Sequence, residues 1–369
     1  MAKGMKVTEV EIYKADLALH EPFRIAIMET TGATNVFVRI NTDAGIYGVG
    51  EASPTWRLCG ETQAIDLAAA RDLALLIKGK NPLAVEERIR DFEGYLKNNT
   101  SIISAFDMAL YDLLGKAAGL PLYALLGGEK RTLVTDLTIG LGEPDYMAAK
   151  AREILGLGFR AIKVKLGTTT EEDVARVRAI REAVGEEIPI RIDANQGWDY
   201  TTAVATLRAL EPLGVQYCEQ PVAYWNYEAM RLVRQATTIP IMADESVFDQ
   251  RDAFKLCRGE CCDYLNIKLA KSGGIRNALG ICAVAESCGK ACMVGCMMES
   301  RLGLTATAHL ASARRNITFY DLDTALLLSD DPIIGGIEYD GDEVTLPEGP
   351  GLGADVDPDF LSNAEHFTV

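Results

Sequence analysis

Eight short runs of aliphatic and β-branched residues begin near Leu133, Ala161, Ile188, Val215, Ile239, Asp263, Ala291 and Ile317, separated by segments of helical periodicity. Nothing else in the chain limits its fold so strongly. A strand–helix alternation repeated eight times predicts a parallel sheet closed as a (β/α)8 barrel. Runs such as Ile190-Arg191-Ile192-Asp193 and Tyr264-Leu265-Asn266-Ile267-Lys268 carry their polar residues toward the C-terminal end, which is where barrel sites form.

With 369 residues the chain exceeds the usual size of one domain, so a companion to the barrel is expected. Residues 6–14, 34–41 and 46–52 read as strands, and Asn41-Thr42-Asp43-Ala44-Gly45 reads as a hairpin turn. Helical periodicity follows at 62–79, 84–97 and 101–118. In the last of these Ile102, Ile103, Phe106, Ala109, Leu110, Leu113 and Ala117 share one face, and Gly119-Leu120-Pro121 ends it. The expected class is therefore α/β, a (β/α)8 TIM-like barrel with an N-terminal α+β capping domain. The expected divisions are 1–130 for the cap, 131–335 for the barrel, and 336–369 for a segment, with a further hairpin, that returns to the cap.

Read in order, the strand ends are charged. Lys163 and Lys165 end the second, Asp193 and Asn195 the third, Glu219 the fourth, and Asp244 with Glu245 the fifth. Lys268 ends the sixth, Cys296 to Glu299 follow the seventh, and Asp321 and Asp323 end the eighth. A single such acid is most simply an ion pair or a solvated loop charge. An ordered set of inward charges is costly unless a metal or substrate balances it. Asp193, Glu219 and Asp244 are hard oxygen ligands from successive strands, which suits Mg²⁺ with positions open to substrate. Residues i and i+2 of a strand share a face, so both lysines of the second strand project into that site. A lysine serves as a base near neutral pH when a neighbouring ammonium and a divalent ion lower its pKa, and Lys163 is placed to do this for Lys165. Lys268, four strands around the barrel, approaches a substrate from the opposite face.

The net charge of -16 argues against nucleic acid or an anionic membrane as partner and favours a small molecule. The N-terminus lacks an apolar stretch of the signal-peptide kind, so the cytoplasm is the expected compartment. Nine cysteines in an intracellular chain read as reduced thiols, and Cys257, Cys261 and Cys262 match no zinc spacing, so packing is their simplest role. Of the three histidines, none lies in a nucleophile context, and His309 reads as a helix residue.

The chain resembles the muconate-lactonizing-enzyme subgroup of the enolase superfamily. The resemblance is carried by Lys163-Val164-Lys165, Asp193-Ala194-Asn195, Cys218-Glu219-Gln220-Pro221, Ala243-Asp244-Glu245-Ser246 and Asn266-Ile267-Lys268, with Gly50-Glu51-Ala52-Ser53-Pro54 and Leu125-Leu126-Gly127-Gly128 in the cap. Membership implies a Lys or His base acting beside Mg²⁺. The resemblance implies metal ligands Asp193, Glu219 and Asp244 and catalytic bases Lys165 and Lys268. It leaves the reaction open among cycloisomerases, a dehydratase, acylamino-acid racemases and dipeptide epimerases.

Asp321-Leu322-Asp323 discriminates among these. Two inward acids on the far side of the pocket from the metal form a counter-charge for a cation, and the pair resembles the device by which dipeptide epimerases hold a free α-ammonium. The implied reaction is a 1,1-proton transfer at the α-carbon of the second residue of a dipeptide, whose carboxylate meets Mg²⁺ and Lys163. Thr138, Cys296 and Met298 are implied to line the substrate. Alternatives are an L-Ala-D/L-Glu epimerase, an N-acylamino-acid racemase, a muconate-type cycloisomerase, or a catalytically idle barrel. Specificity is expected from the loops 19–31 and 54–60 and the stretch after the seventh strand. Relatives acting on alanyl-glutamate carry an Arg where this chain has Met28, with Arg24 a possible substitute and Glu29 repelling an acid. Met28, Met298 and Trp56 favour an apolar second residue. A homo-oligomer is expected.

Overall fold

A computed structural model describes residues 4–369. The strands Val7–Ile25, Met28–Thr42 and Tyr47–Ala52 form an antiparallel sheet, and His366–Thr368 joins its outer edge beside the first strand. Three helices, Gln63–Ile77, Val85–Tyr95 and Thr100–Ala118, follow close to where periodicity puts them. The third buries Ile102, Phe106, Ala109, Leu110 and Leu113, each removal from water contributing about 1.5–3 kcal/mol for the larger side chains. It lies so near the strand Tyr47–Ala52 that a Cβ on Gly48 or Gly50 would stand 2.0 Å from a carbonyl oxygen of Ala109 or Ala105. Only glycine permits that approach.

The segment 19–31 is not a loop. The first two strands run on beyond the sheet as a two-stranded ribbon that turns at Ala26 and Ile27, with a register break between Ala18 and Phe23. Pro22, which has no N–H to give to a ladder, falls in that break. The ribbon reaches over the barrel mouth, where Leu141 N donates to Arg24 O at 2.8 Å. Gly167 receives the tip so closely that a Cβ there would meet Ala26 Cβ at 2.7 Å.

The barrel consists of eight parallel strands in sequence order: Leu137–Ile139, Ile162–Lys165, Ile190–Asp193, Val215–Glu219, Ile241–Ala243, Tyr264–Ile267, Ala291–Val294 and Ile317–Tyr320. Its first and last strands meet through Asp136 N to Tyr320 O at 3.4 Å and Leu322 N to Thr135 Oγ1 at 2.8 Å. Tyr217, Met242 and Met293 fill the interior with Tyr264 and Phe319, so the barrel is a packed core and its chemistry is confined to one rim.

Three expectations are corrected. Leu133 does not begin the first barrel strand: Leu133–Val134 pairs with Glu343–Thr345 in a separate small sheet, and the barrel starts at Leu137. The hairpin Glu338–Asp340 with Glu343–Thr345 therefore packs at the barrel, and it is the last strand, His366–Thr368, that reaches the cap. Seven strands are followed by α-helices, whereas the eighth is followed by a 3-10 turn, Thr324–Leu327. No helix among the described residues is long and apolar enough to cross a membrane. All nine cysteines are free, with Cys257, Cys261 and Cys262 buried.

Candidate active site

Strand pairing sets the site. Lys165 lies beside Asp193 and Asp193 beside Glu219 in the parallel register, so ammonium and carboxylates end on one rim. Asp193, Glu219 and Asp244 bring oxygens within 4.8 Å of one another, all buried. Lys165 Nζ lies 2.6 Å from Asp193 Oδ2 and Lys268 Nζ lies 2.8 Å from Asp244 Oδ2, so the two lysines pair with acids at opposite ends of the series. Lys163 Nζ stands 2.6 Å from Asp321 Oδ2, 2.7 Å from Glu219 Oε2 and 3.6 Å from Asp193 Oδ2.

These contacts shape the charges. Burial alone would lower the Lys163 ammonium, but Asp321, Glu219 and Asp193 outweigh it and hold the pKa well above the usual lysine range. Lys268 is raised in the same manner, Asp244 and Glu219 overcoming burial. Burial opposes a charged Asp244, yet Lys268 and Lys271 keep it ionised far below the usual carboxylate range. Glu219 is pushed up to about 8, first by burial and then by Asp193.

A divalent cation fits this ring. Glu219 Oε2 and Asp244 Oδ2 are buried without an aligned hydrogen-bond donor, and the donor set is all oxygen, which suits Mg²⁺. The remaining oxygens are held by neighbours: Asn266 Nδ2 donates to Glu219 Oε1 at 2.6 Å, and Asn195 N donates to Asp193 Oδ1 at 2.8 Å. Backbone strain marks the same rim. Asn195, Gln196 and Gln220 hold φ of 41°, 68° and 35°, costly for residues with a Cβ. Gln220 is locked there, its Oε1 accepting from Asp244 N at 2.9 Å and its Nε2 donating to Ser246 Oγ at 2.8 Å.

Between this rim and the ribbon lies a cavity of about 500 Å³, within the range of small-molecule sites. Lys165, Lys268, Thr138, Cys296, Met298, Asp321 and Asp323 line it together with Met28 and Trp56. Two expected residues stand elsewhere. Lys163 is wholly buried below the cavity in the ring of acids, and Arg24 lines a second cavity on the other side of the ribbon. Asp321 also differs from the expectation of a position across the pocket from the metal, since one ammonium, that of Lys163, joins it to Glu219.

Asp323 is held by Thr138 N, 2.7 Å from its Oδ2, and is pushed up to about 8 by burial, then by Asp321 and Asp136. A cation beside it would favour its charged form. Cys296 lies within reach of both acids, but burial and those two charges push its thiol well up. The corner thus presents two carboxylates and a thiol to the cavity, a counter-charge for a cationic group.

Sequence reasoning passed over several residues. Lys271, one helical turn after Lys268, is fully buried, donates to Asp244 O, and lies 2.5 Å from Asp244 Oδ1. Glu51 was visible only as part of a motif. It accepts from Asn35 Nδ2 at 2.7 Å, Ser300 N at 2.9 Å and Gly303 N at 2.9 Å, tying the cap to the N-terminus of the helix Arg301–Ala313. Glu299 is buried with both oxygens unpartnered and is pushed up to about 8 by burial and Glu51, against Lys268.

Comparison with known proteins matches residues 7–127 to the mandelate racemase / muconate lactonizing enzyme N-terminal domain and residues 146–360 to the enolase C-terminal domain-like family. A D-Ala-D/L-Ala epimerase of Cytophaga hutchinsonii is 45% identical over 99% of this chain and 100% of its own. An L-Ala-D/L-Glu epimerase of Bacillus subtilis is 42% identical over 95% of this chain and 96% of its own. Among solved structures, the C. hutchinsonii dipeptide epimerase complexed with Mg and D-Ala-L-Val superposes with a TM-score of 0.98, covering 99% of this chain and 100% of that one at 45% identity. The Enterococcus faecalis dipeptide epimerase complexed with Mg and L-Leu-L-Tyr gives 0.93, covering 95% and 99% at 41% identity.

Proposed function

The chain belongs to the enolase superfamily, in its mandelate racemase / muconate lactonizing enzyme group, and from that premise we propose that it epimerises free-amine dipeptides at the α-carbon of the second residue, preferring an apolar side chain there. It is a Mg²⁺-dependent racemase or epimerase of amino-acid derivatives. The observation that carries the finer reading is the company kept by Asp321 and Asp323. Both line the same cavity as Lys165 and Lys268, so a site for a cation and two opposed bases share one small-molecule space.

In this reading the dipeptide's ammonium sits at Asp323 and Asp321, and its carboxylate faces the acid ring. Held by Asp193, Glu219 and Asp244, Mg²⁺ would supply a Lewis acid for the negative charge that develops as the α-proton leaves. Lys165 takes that proton on one face and Lys268 delivers one on the other, with roles reversed for the other epimer. Gly295 leaves room for both neighbours, since a Cβ there would stand 2.7 Å from Asn266 Oδ1 and 3.1 Å from Lys268 Cε. Lys163 joins Asp321 to Glu219 and holds both in place.

Support for an apolar second residue comes from the lining. Ile25, Met28, Trp56 and Met298 line the outer cavity, and Glu29 on the same ribbon disfavours an acidic side chain. Arg24 does not line it. The test is proton exchange: with Mg²⁺ in D₂O, a dipeptide such as Ala-Leu gains one deuteron and its diastereomer accumulates. Absence of exchange with every free-amine dipeptide of a representative library would overturn the reading.

A further inference from the structure

We propose that Phe23, Thr138 and Leu327 form a wall that limits the first residue of the dipeptide to a small side chain, and that the cavity behind this wall is a latent apolar subsite for a larger one. The proposal rests on the dipeptide reading above and adds the determinant of its first residue.

Two cavities, of about 500 and 590 Å³, lie on either side of the ribbon, and Phe23, Thr138 and Leu327 line both. Those three side chains are therefore the partition between them. The partition is also adjacent to the ammonium site, because Thr138 N donates to Asp323 Oδ2 at 2.7 Å. In any α-amino acid the ammonium nitrogen and Cβ are attached to the same carbon, placing them about 2.5 Å apart given bonds near 1.5 Å. A first residue whose ammonium rests on Asp323 thus starts its side chain beside Thr138. Its carbonyl must run the other way, toward Lys165 and Lys268. The direction left to the side chain is the wall.

The second cavity suits an apolar guest. Leu137, Ile139, Leu141, Ile154, Leu157 and Phe159 line it. Its charged lining residues are Arg24 and a cluster in which Lys150 Nζ lies 3.0 Å from Glu21 Oε1 and 3.4 Å from Glu153 Oε2. An aliphatic or aromatic side chain could enter once the wall is thinned and pack against the six apolar residues. Thr138 is held in the sheet and supports Asp323, so Phe23 and Leu327 are the adjustable elements. Leu327 closes the 3-10 turn Thr324–Leu327, which directly follows Asp323, so one short segment carries both the anchor and the limit. Phe23 resumes the ribbon's pairing after its register break.

The experiment compares Gly-Leu, Ala-Leu, Val-Leu and Leu-Leu, so that only the first residue varies. Native protein, Leu327→Ala and Phe23→Leu are each assayed with Mg²⁺ for kcat/KM by deuterium exchange and for binding by titration calorimetry. In the native protein the values fall from Ala-Leu to Leu-Leu. In Leu327→Ala the ratio of Leu-Leu to Ala-Leu rises by about tenfold or more, the scale on which a hydrophobic pocket discriminates added methylenes. Phe23→Leu moves it the same way by less. A ratio taken within one protein cancels any general loss of folded material, and the milder Phe23→Leu guards against failure of the first variant to fold. Unchanged ratios in both variants, or a native protein that takes Leu-Leu as readily as Ala-Leu, overturn the wall while leaving the epimerase reading intact. Neither exchange nor binding with any of the four in any protein overturns the dipeptide reading, and the wall with it.

Discussion

Lys163 and Asp321, from the second barrel strand and the end of the eighth, meet as a buried ion pair with Nζ 2.6 Å from Oδ2. The same ammonium lies 2.7 Å from Glu219, so the acid ring and the proposed ammonium site share one lysine. This divides the two acids of the eighth strand. Asp321 is lowered despite its burial because Lys163 and Lys165 oppose the desolvation, whereas Asp323 is raised and has the amide of Thr138 as its fixed partner. Asp323→Asn is therefore expected to lower kcat/KM for a free-amine dipeptide by about a hundredfold or more, the scale of a buried charge pair losing one member. It should change turnover of an N-acetylated analogue far less. Asp321→Asn should harm both substrates, because it also removes one of the acids that hold Lys163 in the ring. Parallel steady-state assays on the two substrates read the difference, and equal losses in Asp323→Asn would show that Asp323 does not hold the amine.

The two lysines proposed as opposed bases give a separate signature. Lys165 is paired with Asp193 and Lys268 with Asp244, at opposite ends of the series of acids. Replacing either by Ala should suppress epimerisation by about 10²- to 10⁴-fold, the usual contribution of a positioned general base. Each variant should still wash deuterium into one epimer, and the two variants should differ in which. Proton NMR of the α-position in D₂O follows this directly. Full epimerase activity in Lys268→Ala would remove it from the reaction.

Mg²⁺ should stabilise the folded chain as well as activate it. The buried oxygens Glu219 Oε2 and Asp244 Oδ2 lack aligned donors, and a bound cation would satisfy both. At a metal concentration about 100 times its Kd, one site contributes about 2.7 kcal/mol to stability. Thermal unfolding should move upward with Mg²⁺ and return after chelation. In Asp193→Asn the shift should shrink or vanish, and an undiminished shift would place the ion elsewhere.

Sequence alone carried the rim of the site because barrel strands repeat, and most of them, from the second to the sixth and again the eighth, end in a residue whose charge has no reason to face inward without a ligand. Lys165, Asp193, Glu219, Asp244 and Lys268 could be read in order for that reason. The ribbon could not. Val7–Ile25 and Met28–Thr42 extend beyond the helices that cover the sheet, so their outer halves have no single buried face and show no clean alternation. Leu133 has the composition of a barrel strand, yet only pairing with Val344 assigns it to another sheet. Glu51 and Lys271 matter through partners distant in sequence or on other elements, which periodicity does not reveal. The wall between the cavities is hidden for the same reason, being built from Phe23, Thr138 and Leu327 on three separate segments.

Ribbon geometry separates two residues that sequence placed in competition. Arg24 pairs across the ribbon with Glu29 and lines the second cavity, while Met28 pairs with Ile25 and lines the first. Arg24→Ala should consequently leave the ratio of Ala-Leu to Ala-Glu turnover as it is. Met28→Arg should raise relative turnover of Ala-Glu by about tenfold or more, since a guanidinium in the cavity would pair with the side-chain carboxylate. Competition assays with the two dipeptides together measure the ratio in each variant. A shift caused by Arg24→Ala would place its guanidinium within reach of the substrate.

Far from the cavity, His309 should set part of the protein's acid sensitivity. Its ring is buried in the helix Arg301–Ala313, with Nδ1 accepting from Tyr123 N at 3.1 Å and Nε2 donating to Leu352 O at 3.0 Å. Those partners fix the neutral tautomer, because a proton on Nδ1 would face the Tyr123 N–H. Burial accordingly lowers the pKa to about 4 from its usual 6.5, with the Leu352 carbonyl opposing. The unfolded chain therefore binds a proton that the folded one refuses between these values. Stability from this group is complete above pH 6.5 and is lost as pH falls toward 4, by about 3 kcal/mol for a shift of this size. His309→Gln should lower stability at neutral pH while flattening this decline, since glutamine does not titrate. Urea unfolding at pH 7.5, 6, 5 and 4.5 compares the two slopes, and a parallel decline in both proteins would assign the acid sensitivity to other groups.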